Sequence, residues 1–138
     1  MAKVMNADVV CWATPIYYYE MSGQMKTLID RMNAMYSQNY LFRDVYLLTT
    51  AAEEEEATPK RAETGLTGWI DCYPKSRLAG TLFCGGVNDA REIEGNPKLQ
   101  EAFHPSKPSS RRVIFPLISI DSARPARISA RTRIQPPG

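Results

Sequence analysis

The chain is poor in the residues that do chemistry by themselves. It holds 138 residues with a single histidine, His104, in a proline-rich segment. A histidine metal cluster is thereby excluded, and a Ser-His-Asp triad is not supported. Its three cysteines, Cys11, Cys72 and Cys84, are odd in number and widely spaced. Neither a disulfide framework nor a Cys-x-x-Cys metal site follows from them. No apolar stretch approaches the roughly 20 residues needed to span a bilayer, and Met1-Ala2-Lys3-Val4 does not open onto the apolar region of a secretory signal. A cytoplasmic protein with no membrane association is expected. The spaced glycines of a dinucleotide fingerprint are also missing; Gly85-Gly86 reads as a sharp turn. Any redox or transfer chemistry must then come from a cofactor.

The most telling residues are Ala13 to Arg31. Val9, Val10, Cys11, Trp12 and Ala13 form a continuous apolar run, as in a strand of a parallel sheet buried on both faces. Pro15 cannot donate to a ladder and pushes Thr14 into an extended conformation, so the strand is expected to end at Thr14-Pro15. Three tyrosines follow. From Met21 onward the apolar residues Met21, Met25, Leu28, Ile29, Met32 and Tyr36 recur at helical spacing, with Lys26, Asp30 and Arg31 on the opposite face.

Further on, Val45 to Thr50 predicts a second strand leaving through Ala51-Ala52 into Glu53 to Glu56. Consecutive carboxylates repel one another and point apart, so the four glutamates read as a solvated loop before a helix. Ala57 to Tyr73 predicts that helix, with Leu66, Trp69, Ile70 and Tyr73 on one stripe. Leu78 to Cys84 predicts a third strand, Asn88 to Asn96 a polar loop, and Pro97 to Phe103 the start of a last helix. Alternating strands and helices imply α/β architecture with right-handed crossovers and parallel strands. Small ligands in such sheets bind beyond the carboxyl ends of the strands, where Thr14 to Tyr19 lie.

Pro15, Ile16, Tyr17, Ser22, Gly23, Met25, Lys26, Asp30 and Arg31 together resemble a motif of the flavodoxin-like NAD(P)H-dependent FMN reductases, a group that includes flavodoxin-fold relatives of the iron-sulfur flavoproteins. In that family a Pro-[Ile/Val]-Tyr turn follows the third strand and leads into a Ser-Gly-x-[Leu/Met]-Lys helix ending in Asp-Arg. The resemblance implies a flavodoxin-like parallel sheet with helices on both faces. It also implies that Thr14, Pro15, Ile16 and Tyr17, with Tyr18 and Tyr19, flank a flavin ring. Thr50, Ala51 and Ala52, in the loop after the family's fourth strand, are implied to touch the ring as well. The expected activity is FMN-dependent transfer of hydride from NAD(P)H to a small-molecule electron acceptor, in an oligomer of identical chains. A flavodoxin-type electron carrier is the alternative, and a partial domain without activity of its own is another.

Two departures from the family pattern stand out. No Ser/Thr/Gly-rich phosphate loop precedes Val9, so the expected domain, residues 1–103, is truncated to the family's strands three to five. From His104 onward the composition changes abruptly: six prolines, and seven Lys or Arg residues against Asp121 alone, give this segment a charge of +6. The whole chain carries +2, so residues 1–103 carry −4. Residues 104–138 read as a disordered or foreign basic tail. Its arginines could serve a nucleic-acid arm, but Phe115 is the tail's lone aromatic, and nucleic acid is not expected as a partner. Alternatively, the apolar run Val113 to Ile120 could cover an open sheet edge.

Overall fold

The computed structural model describes residues 1–99 and the backbone of Val113 and Ile114. A short helix α1 (Ala2–Met5) leads into β1 (Val9–Tyr17), which turns back into β2 (Glu20–Met21). Helix α2 (Gly23–Arg31) continues as a 3-10 turn over Met32–Met35, followed by β3 (Asp44–Thr50), α3 (Lys60–Asp71) and β4 (Arg77–Cys84). The two-residue β5 (Val113–Ile114) completes a five-stranded sheet. The remainder of the expected last helix and of the 104–138 tail lies outside the described residues.

The sheet is open and mostly parallel, an α/β arrangement of flavodoxin-like character. β1, β3 and β4 run parallel as neighbours in that order. Both connections therefore advance across the sheet in the same direction, and right-handed crossovers then place α2 and α3 on the same face. The core has that layout. Val10, Trp12 and Ile16 of β1 and Val45 and Leu47 of β3 share one buried cluster with Met25 and Ile29 of α2 and with Ala62, Leu66, Trp69 and Ile70 of α3. The alternate strand positions are less covered: Ala13 and Tyr46 are exposed, and Leu48 and Leu82 are half-buried. Tyr46 also sits at a bulge between β3 and β4, with its ring over Gly80, where an added Cβ would come within 3.2 Å of it.

Aromatic side chains lock helix to sheet. Trp12 and Trp69 meet edge to face with centroids 5.6 Å apart, and Phe42 stacks on Trp69 at 5.8 Å. Tyr73 closes the group against Tyr40, Phe42 and Trp69, and its hydroxyl donates to the Met32 carbonyl at 3.3 Å. Such rings bring large apolar areas out of water and add geometric preference.

The structure corrects the expected strand end. β1 does not stop at Thr14-Pro15 but continues through Pro15, paired with Thr50, to Tyr17. A proline is accommodated in a strand with a neighbour on one side only, and at Pro15 the described ladder runs to β3 alone. The chain then reverses in a hairpin, pairing Ile16 with Met21 and Tyr17 with Glu20.

Candidate functional site

Parallel strands bring their carboxyl ends to one edge of the sheet, and there Pro15, Thr50 and Cys84 stand side by side in register. Beyond them the loops after β3 and β4 zip together. The Ala51 N–H donates to the Cys84 carbonyl at 3.3 Å, and the Ala51 carbonyl accepts from the Val87 N–H at 2.8 Å. Gly85 is required for that contact: a Cβ there would lie 2.6 Å from the Glu53 carbonyl oxygen. Gly86 follows at φ +72, so the double glycine is the sharp turn its composition suggested.

The tyrosines form the hairpin tip. Tyr18 and Tyr19 have φ of 51° and 68°, the two positive values of the primed turn that suits a two-residue β-hairpin. Tyrosine is a costly residue for that backbone region, and strain of this kind gathers where function holds it. Tyr17, Tyr18 and Tyr19 are 59%, 96% and 45% exposed. The hairpin is anchored from both sides. Thr14 Oγ1 accepts from the Ser22 N–H at 3.0 Å, and Ser22 Oγ caps α2 by accepting from the Met25 N–H at 3.3 Å. On the other side the Tyr19 hydroxyl donates to Glu53 Oε1 at 3.4 Å, while the Thr58 hydroxyl donates to Glu53 Oε2 at 3.2 Å. The Arg61 guanidinium lies 6.0 Å from the Tyr19 ring centroid.

The expected site residues thus fall into two groups. Tyr17, Tyr18, Tyr19 and Ala52 are accessible, with Pro15 and Thr50 half-buried beside them. Thr14, Ile16 and Ala51 are buried, and their polar or apolar groups are spent on structure. Sequence reasoning missed Glu53 as an anchor of the hairpin, because it is one of four identical neighbours and only the fold brings it to Tyr19. Cys11 and Cys84 are buried, and burial pushes the Cys11 thiol up to about 11, so it stays neutral and inert. Cys72 is exposed. Among the described residues no group of three or more His, Cys, Asp or Glu side chains could hold a metal ion.

The family model for NADPH-dependent FMN reductases matches residues 1–72, from α1 to the end of α3. The chain belongs to that family. Searches of curated proteins and of solved structures gave no significant match. For this reductase-family chain the matched half carries the hairpin, its anchors and the loop after β3, whereas β4 and the Gly85-Gly86 turn lie beyond the match. No helix among the described residues is long and apolar enough to cross a membrane.

The described residues fit one half of the family's cofactor. A flat ring system would meet a small exposed side chain at Ala52 and aromatic faces at Tyr17 and Tyr19, beside backbone brought close by Gly85. The phosphate half finds no such complement: the described loop beside the hairpin carries the exposed carboxylates Glu53 to Glu56, which repel an anion. Two open depressions, of about 660 and 350 Å³, lie along α2 and α3.

Proposed function

We propose that this protein binds FMN at the carboxyl edge of β1 and β3 and serves as an NAD(P)H-dependent oxidoreductase acting on a small-molecule electron acceptor. The observation that carries the reading is the coincidence of the family match with an exposed tyrosine hairpin at the strand ends. When bound, FMN supplies the hydride chemistry, accepting from NAD(P)H and passing electrons to free flavin, a quinone or a similar acceptor. The protein's own residues bind and orient. Pro15 and Thr50 form the floor, Tyr17 and Tyr19 flank the ring, and Ala51 and Ala52 leave room for its approach. Glu53 and Thr58 hold the hairpin at its working angle. The reading places the protein in the cytoplasm and as an oligomer of identical chains.

The test is a titration of the purified chain with FMN, read by flavin fluorescence, with NADPH added at saturation. Saturable binding followed by bleaching of the flavin absorbance is the expected result. Binding without bleaching would assign the chain to the electron carriers, and absence of binding at high micromolar FMN would refute the proposal.

A further inference from the structure

β1 has β3 along one side from Val9 to Pro15, whereas its other side is only partly occupied among the described residues. β5 covers Val9 and Val10 at one end, and β2 covers Ile16 and Tyr17 at the other. Between them Cys11, Trp12, Ala13, Thr14 and Pro15 have no described neighbour on that side. β1 carries no charge from Val9 to Tyr17, and Val9 to Trp12 are all buried. A long, apolar, uncharged edge is what folded proteins cover, because its unpaired N–H and C=O groups template pairing with other chains.

We propose that the occupant is the chain's own C-terminal segment, with β5 continuing through Ile118 as the edge strand of this sheet. Three observations support that choice. First, β5 is already seated parallel to β1, pairing Val9 with Val113 and Val10 with Ile114. Carrying that register forward puts Phe115 opposite Cys11, Leu117 opposite Ala13 and Ile118 opposite Thr14 with no loop to close, and leaves Pro15 with β3 alone. Second, the length agrees: Ile118, the last residue of the apolar run before Ser119, falls opposite Thr14, just short of Pro15 and of the β2 pairing at Ile16. Third, Val113 to Ile118 is a continuous apolar run flanked by Arg111-Arg112 and followed by Asp121, the composition of a parallel strand. Pro116 is compatible with an edge strand, whose outer side needs no donor. A second copy of the chain would have to displace a segment tethered next to its own site, whose effective concentration is in the millimolar range.

Paired neighbours across adjacent strands lie about 4.8 Å apart, inside the Cα separation a disulfide accepts. The test is the full chain carrying Ala13→Cys with Leu117→Cys, oxidised in dilute solution and mapped by peptide mass. An intramolecular bond between positions 13 and 117 is expected. None is expected in Ala13→Cys with Ile114→Cys, three positions out of register and displaced by about 10 Å along the strand. An intermolecular bond would assign the edge to a second copy, and failure to form the bond, or equal yield from both pairs, would also overturn the proposal. Independently, amide exchange at whichever of Trp12 and Ala13 points its N–H away from β3 is expected to quicken at least about tenfold on truncation after Arg112, since each unit of 1.4 kcal/mol in local opening is a factor of ten. Unchanged exchange in a folded truncated chain would refute the cover.

Discussion

The molecule uses aromatic residues in two opposite ways. Inside, Trp12, Phe42, Trp69 and Tyr73 are buried and meet one another at centroid distances of 4.9 to 5.8 Å. Outside, Tyr17, Tyr18 and Tyr19 stand in water on a strained two-residue turn. The inner set lowers the free energy of the fold through burial. The outer set does not, because its turn holds two tyrosines at positive φ. The contrast separates the rings that hold the protein together from the rings proposed to meet the flavin.

Truncation should break the symmetry between the two sets most plainly. Trp12→Ala is expected to cost about 3–5 kcal/mol in urea unfolding, the range for large aromatic side chains removed from a core. Tyr18→Ala should stay within about 0.5 kcal/mol of the parent, because the side chain is 96% exposed. Equal losses would abolish the distinction.

The hinge between the regions is Thr14, buried on the core face yet holding the start of α2 for the hairpin. Thr14→Val keeps the shape and leaves the Ser22 N–H without its acceptor, an expected loss of about 1–3 kcal/mol by thermal or urea unfolding. Thr14→Ser should recover most of it.

The smallest effect in stability carries the sharpest contrast. Replacing Tyr18-Tyr19 by Asn-Gly gives the turn the residues its positive φ values favour. Stability should rise by about 1 kcal/mol while affinity for FMN falls, both measurable on the same preparation. A variant that gains stability and keeps FMN affinity would show that the tyrosines are not a binding element.

Much of the fold was legible in the residues. Val9 to Trp12 in β1, Met25 and Ile29 on α2, and Leu66, Trp69 and Ile70 on α3 are local patterns that burial follows directly, whereas Ala13 and Tyr36 are exposed, Leu28 is half-buried and Met21 falls in β2 rather than on the helix. The common side of α2 and α3 follows from the observed strand order, in which both crossovers advance in one direction. The end of β1 was not legible. Pro15 signals a break only for a strand flanked on both sides, and the number of flanking strands is a property of the whole sheet. The hairpin was hidden too, because Tyr18-Tyr19 lacks the Asn-Gly or Asp-Gly pair that announces a primed turn. Glu53 became visible as an anchor only when the fold set it opposite Tyr19, 34 residues earlier in the chain.

Both tryptophans of the chain belong to one contact, Trp12 from β1 and Trp69 from α3. The indole emission of this protein therefore has a single origin, in a dry interior. A change in its wavelength or yield reports the seating of one helix on one strand, so folding, ligand binding and edge capture can each be timed against that event without attaching a label.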